Sequence, residues 1–469
     1  MKHHPRARWA ALIVLIGLIG CNTPTASPSP ASSSGGEASP TLAASASAVA
    51  SPSAAAVLPE ISPDPSISGT LNVWIGGLAQ NYYQALDPDF AKAYPNIKVK
   101  YTVIDYGGNA DAPGLYQNFQ LAVTAGSGLP DVVSLEDSHL GQYVKLDALT
   151  DLTDKVTPYL PFLPGQKVQD ASKDGKIYAM AIDSGPVALY YRRDVFEKAG
   201  VDPASLATWD DWMAAGKVIK EKTGFPMWQQ SKARNNARTF ESLLWQQGLG
   251  YVDASGAVIL DKEPRIEQTL DFVGQTWKDG IAADNEEWTD PWYAAFNKGE
   301  VATHPGAVWM STFFKSFIAP DAKGKWGVVP LPRWTADGSN TANDGGSSFA
   351  IPTASTQKDA AWAWIQFYTG RPESVMTWYK ASDIFPSLTA AYTDPYFAAP
   401  DPYFDDQEVR KFFADLIPSV PAATVYSSDY AVMNASLSSA IQRFAMGELS
   451  AKDALAAAAQ EIRDKTGRP

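Results

Sequence analysis

The chain holds 469 residues, among them 15 Trp and one Cys, and carries a net charge of -13 at pH 7. That length exceeds what one hydrophobic core usually organises, so two lobes are expected; 19% charged and 12% aromatic residues exclude a wholly disordered chain. The acidic balance excludes a sequence-independent nucleic-acid binder and a polybasic membrane surface. The single Cys excludes an internal disulfide, a Cys-rich zinc site and a CxxC redox pair.

Lys2, Arg6 and Arg8 precede the apolar run WAALIVLIGLI at 9–19, which is short for a bilayer span. This is the layout of an export signal. The run ends in Leu18-Ile19-Gly20-Cys21, which resembles the lipobox of bacterial lipoproteins. That resemblance implies a signal peptide over 1–20, a diacylated Cys21, and a product exported to the outer face of the cytoplasmic membrane and held there by lipid alone. Residues 21–68 follow as an Ala/Ser/Pro-rich tether whose only charges are Glu37, Glu60 and Asp64.

Beyond the tether, 71–75 (LNVWI) reads as a strand, 82–93 has helical spacing, and 97–104 (IKVKYTVI) alternates as a strand does. A helical window at 116–125 and the buried-strand run DVVSL at 131–135 come next. This order predicts an open parallel α/β sheet, a design that binds ligands beyond the carboxyl ends of its strands. Later patterns predict helices over 209–222, 237–247 and 358–369, strands at 326–330 and 348–351, and terminal helices over 430–446 and 451–465. The doubled Asp-Pro-Tyr-Phe at 394–397 and 401–404 is too short for a repeat architecture and reads as an aromatic loop on the surface or at a cleft rim.

The sequence contains no GxSxG elbow, Walker loop, GxGxxG, HExxH or EF-hand loop. His139 and His304 read as ordinary surface or loop residues. The pairs Glu136/Asp137 and Glu286/Glu287 offer carboxylates for a glycosidase, but neighbours on a strand point to opposite faces. Aromatics are the stronger signal. Trp74, Trp245, Trp288, Trp292, Trp309, Trp334 and Trp378 lie in or beside predicted loops and strand ends. Core packing accounts for any one of them; several together suit a sugar cleft, where an indole face covers a pyranose ring and nearby polar groups satisfy its hydroxyls. Trp288 and Trp292 share one predicted loop, and Asp137, Asp183 and Asp290 are the acceptors at hand. Arg192, Arg193, Arg234 and Arg238 read as solvated faces, yet keep a phosphorylated polyol open as the solute.

At 175–200 (GKIYAMAIDSGPVALYYRRDVFEKAG) the chain closely resembles the hinge region of family 1 extracellular solute-binding proteins, the sugar-binding components of ABC importers and relatives of maltose-binding protein. The resemblance continues in order through TWDDW at 208–212, FNKGEVA at 296–302, GAVW at 306–309, WGVVPLP at 326–332, GGSSFAIP at 345–352 and AAWAW at 360–364, with GLPDVV at 128–133 upstream. It departs from the family at Thr303-His304-Pro305, where small or apolar residues are usual. It implies a two-lobe, type II periplasmic-binding-protein-like α/β fold, with a cleft between lobes joined by crossing hinge strands. One lobe would hold 69–182 and 329–372, the other 183–328 and 373–469. It also implies a monomeric, non-enzymatic binder without cofactor or metal, whose partners are a carbohydrate and ABC permease subunits, and whose cleft closes on the ligand. Matched blocks supply Trp74, Gly77, Glu136, Asp137, Asp183, Trp309, Gly345, Gly346 and Ser347 as ligand-binding positions; Trp245, Trp288, Asp290 and Trp292 join them on chemistry. Glycerol phosphate binding and a secreted carbohydrate-active enzyme are the alternatives.

Overall fold

The strands that position the site are, in chain order, β1 (Gly69–Gly76), β2 (Ile97–Ile104), β3 (Val132–Glu136), β4 (Ala179–Ala181), β5 (Val187–Arg192), β6 (Thr303–Ala307), β7 (Trp326–Val329) and β8 (Ser347–Ala350). The helices that carry site residues are α1 (Asp137–Lys145), α2 (Ala237–Trp245), α3 (Asp290–Lys298), α4 (Trp309–Phe313) and α5 (Tyr430–Ala445). The computed structural model describes residues 56–76, 80–106, 108–109, 112–233, 237–422 and 426–469. Cys21, Gly77 and Arg234 lie outside the described residues.

The first sheet has the order β2-β1-β3-β8-β4. β1 is parallel to β2 and β3, with Gly69 opposite Ile97 and Val73 opposite Val132. Alternation places Leu71, Val73 and Ile75 in the core. β8 is antiparallel to β3, with Ser347 opposite Glu136, and to β4, with Ser348 opposite Ala181. The expected all-parallel sheet is therefore mixed, because a strand from far down the chain inserts beside β3 in the reverse sense.

The second sheet, β6-β5-β7, is antiparallel. β5 is buried along its whole length, and its two faces serve two cores. Ala188 and Tyr190 pack in the larger core; Val187, Leu189 and Tyr191 pack in the smaller. The period of two thus turns one strand into a wall shared by both cores.

Three chain segments run side by side between the sheets. Ile182 N–H donates to Ser347 O, Ser184 N–H to Phe385 O, and Ser387 N–H to Ile182 O, each at 2.9 Å. Asp344 N–H donates to Gly185 O at 2.8 Å. A Cβ on Gly185 would lie 2.0 Å from the Asp344 carbonyl oxygen, so only glycine lets these crossings touch. Leu331 and Ala342 pack in the smaller core, and 384–387 lies against the first crossing with larger-core residues on both sides of it.

Other departures have local causes. The single helix expected over 82–93 is two, Gln80–Gln84 and Asp87–Ala93, the second opening with Pro88 in its first turn. The helix Pro264–Lys278, also Pro-initiated, was not anticipated. The end of the expected tether is docked: Leu58 and Ile67 pack against the larger core, and Asn96 Nδ2 donates to Pro65 O at 2.8 Å. In the doubled motif, Asp394 and Asp401 each accept the N–H two residues on, and each opens a 3-10 turn. Their Phe397 and Phe404 are buried, so this is core rather than a surface loop.

Candidate functional site

Two cavities of about 350 and 430 Å³ share Glu136, Arg238, Trp288, Gly345 and Gly346, and so form one cleft beside the crossings. Topology brings its walls together. Glu136 ends β3, Asp183 sits in the first crossing, Arg238 and Glu241 lie on α2, and Tyr430 and Asn434 on α5. Trp309 opens α4 and packs against both cores.

The cleft is organised around that indole. Trp309 Nε1 donates to Asp344 O at 2.9 Å. Trp288 stacks on it with ring centroids 6.3 Å apart and 27° between planes. The Arg238 guanidinium lies over the Trp309 ring, 4.8 Å from its centroid. Trp288 has φ 64, an unusual conformation for a bulky residue, and is 40% exposed. Such strain is retained where the surroundings dictate it, commonly at ligand clamps.

The floor is the turn into β8. Gly346 has φ 110, and a Cβ there would lie 2.5 Å from Lys167 Nζ and 2.8 Å from Asp183 O. Ser347 N–H donates to Asp183 Oδ1 at 2.8 Å, and Gly345 N–H to the Tyr426 hydroxyl at 3.3 Å. Tyr426 in turn meets Trp245 edge-on, with centroids 5.7 Å apart.

Electrostatically the cleft is acidic. Arg238 makes a two-pronged contact to the Asp344 carboxylate, both prongs at 3.0 Å, so its charge is already matched. Burial lifts Glu136 and Glu287 above the usual carboxylate range, against the pull of Arg238. Burial also pushes Asp183 up to about 6, with the Lys167 charge opposing. Glu241 is buried and satisfied by Tyr251, Tyr430 and Asn434.

The structure gathers Glu136, Asp183, Trp245, Trp288, Trp309, Gly345, Gly346 and Ser347 around the cavities. Four expected residues lie elsewhere. Trp74 is half-buried, edge-on to Phe119 with centroids 6.4 Å apart, and lines neither cavity, because its strand position turns it onto a helix. Asp137 is fully buried one layer behind, paired with Lys167 and accepting from Ser348 Oγ at 2.7 Å. Asp290 is exposed in the first turn of α3. Trp292, on that same helix rather than in a loop, is 1% exposed and packs behind Trp288 and against Phe296.

The two histidines are half-buried and lie in a helix and a strand rather than in loops. His139 stacks on Tyr116 with centroids 3.6 Å apart, and burial pushes its pKa down to about 4. His304 packs against Trp292 and Phe296, its pKa lowered to about 3 by burial. Arg192 is 1% exposed and holds Asp194 and Phe296 O, so it is not a solvated face. Sequence reasoning missed Asp344 and Tyr426 as cleft residues, and read Arg238 as a solvated face that left a phosphorylated solute open. Asp344 directly precedes the Gly345-Gly346 block, which was a usable signal.

The profile of the bacterial extracellular solute-binding proteins matches residues 76–374. The chain belongs to this family. Among solute-binding relatives, the arabinooligosaccharide-binding protein of Bacillus subtilis (strain 168) is 28% identical over 309 residues, covering 65% of this chain and 70% of the relative. The lactose-binding protein of Rhizobium radiobacter is 27% identical over 367 residues, 76% of this chain and 84% of its own. The ABC transporter associated binding protein from B. animalis subsp. lactis Bl-04, solved with beta-1,6-galactobiose, superposes with a TM-score of 0.69 at 25% identity, covering 85% of this chain and 97% of that one. The fold of this solute-binding protein is thus the type II, two-lobe one. Among its described residues no helix is long and apolar enough to cross a membrane.

Proposed function

We propose that this chain is the extracellular carbohydrate-binding subunit of an ABC importer: it captures a sugar or oligosaccharide in the cleft and delivers it to a membrane permease. The observation that carries the reading is the stacked Trp288–Trp309 pair, facing Glu136 and Asp183 across one cleft. Indole faces cover the apolar side of a sugar ring, and buried carboxylates accept hydrogen bonds from its hydroxyls. The sugars named for its relatives fit that chemistry. The protein is a monomer that performs no reaction of its own, and Cys21 anchors it through lipid at the outer face of the membrane.

A phosphorylated polyol suits the cleft poorly. Arg238 is committed to Asp344, and Glu136, Glu241, Glu287 and Asp183 surround it with like charge to any phosphate. A thermal-shift screen of the chain against arabino-oligosaccharides, galactosides, lactose and glycerol 3-phosphate tests the reading, since a ligand of the native state stabilises it by mass action. A saturable shift with a sugar, with no product formed, is expected. A shift with glycerol 3-phosphate alone would move the assignment to that solute, and turnover of a sugar would move it to an enzyme.

Asp183 makes the affinity pH-dependent. A hydroxyl donating to its carboxylate favours the ionised form, so binding lowers its pKa; affinity is then full above about 6 and falls as the pH drops through that value. The dissociation constant is expected to rise roughly fivefold between about pH 7 and pH 5, in keeping with a one-unit difference in pKa between free and bound states, and Asp183→Asn should flatten the profile. A pH-independent affinity in the parent would remove Asp183 from ligand contact.

A further inference from the structure

An aromatic stripe leaves the cleft along one helix. Trp309, Phe313 and Phe317 stand at i, i+4 and i+8, with centroids 5.4 Å and then 5.0 Å apart. Trp288 meets Phe313 at 6.0 Å from inside the cleft, and Tyr293 meets Phe317 at 6.0 Å from outside it. Exposure rises along the stripe: Trp309 and Phe313 are half-buried and line the 430 Å³ cavity, whereas Phe317 is 47% exposed and lies beyond it. After α4 the helix widens into a π-turn at Phe314–Ile318, a form that recurs at functional sites. Phe314 and Ile318 of that turn point into the core while Phe317 stays outside. Polar groups flank the stripe but are mutually occupied: Lys315 pairs with Asp383 and Asp401, and Ser316 Oγ donates to Thr312 O at 2.7 Å. The face left for a ligand is aromatic.

We propose that this track, from Trp309 over Phe313 to Phe317, is a further binding surface that carries the sugar rings of an oligosaccharide outside the two cavities. The cleft holds one end of the chain and the track its continuation. Continuity decides the occupant: the stripe begins on the indole that organises the cleft, so a chain that starts there passes over it. The proposal rests on the carbohydrate reading of the cleft.

Its test is calorimetric titration of the parent, Phe317→Ala and Phe317→Trp with arabino- and galacto-oligosaccharide ladders from one to six units. Parent affinity should rise with length. Phe317→Ala should lose about 3- to 10-fold on the longer members, the usual worth of one aromatic contact, and leave the shortest bound member unchanged; Phe317→Trp should retain length dependence. An unchanged melting temperature confirms that both variants fold, as expected at a position 47% exposed. Equal affinity of parent and Phe317→Ala at every length would overturn the track while leaving the cleft as a sugar site, and would assign the stripe to a protein partner. A loss of equal size at all lengths would also overturn it, as a structural effect. Binding of no member by the parent would overturn the track together with the carbohydrate reading.

Discussion

Replacing Trp309 by alanine is expected to weaken solute binding by about 2 kcal/mol or more, roughly 30-fold in dissociation constant, while the protein stays folded. Three contacts set that size. Trp309 is the surface on which Trp288 stacks, the ring under Arg238, and the donor to Asp344 O. Removing it takes a platform from the ligand and also frees Trp288 and Arg238, whose positions it defines. The indole is only half-buried, so its loss opens no sealed cavity and the fold tolerates it. Calorimetry with the sugar found by the screen measures the loss, and Trp309→Phe should fall between parent and alanine. Unchanged affinity in Trp309→Ala would remove this residue from the site.

Asp137→Ala should destabilise the protein by about 3 kcal/mol or more and weaken the cleft with it. The Asp137 and Lys167 side chains are both fully buried and paired. Removing one partner of such a pair leaves an uncompensated charge in a poorly polarisable interior, typically at 3–5 kcal/mol. Asp170 is close enough to feel the Lys167 charge, which keeps the loss near the lower end. Lys167 Nζ also donates to Ser347 O at 3.3 Å and sits under Gly346, so a displaced Lys167 disturbs the floor of the cleft. Urea unfolding is the measurement. Adding Lys167→Met to Asp137→Ala should recover most of the stability, because the stranded charge is then gone. A loss below about 1 kcal/mol in Asp137→Ala would show that the pair supports neither fold nor floor.

Asp137 also illustrates how a correct neighbourhood yields a wrong role. It follows Glu136 in a matched block, and adjacent residues at a strand end point in opposite directions. Glu136 faces the cleft; Asp137 begins α1 and turns inward to Lys167. The same ambiguity separated Trp288 from Trp292. Four residues apart, they lie one above the other at a helix start, and only the outer one reaches solvent.

Local elements were legible because they obey local rules. The alternation in β2, the helical window at 209–222 and the apolar spacing of Lys358–Thr369 are each written within a few residues. Ordered motifs at 175–200, 296–309 and 345–352 were enough to point to the family and, through it, to a cleft beside the crossings. Tertiary structure alone decided the rest. It set β8 antiparallel between β3 and β4, brought Arg238 from α2 onto Trp309 and Asp344, and laid 384–387 against the first crossing. Those outcomes depend on which distant segments share a core, and pairing across more than a hundred residues leaves no periodic trace along the chain.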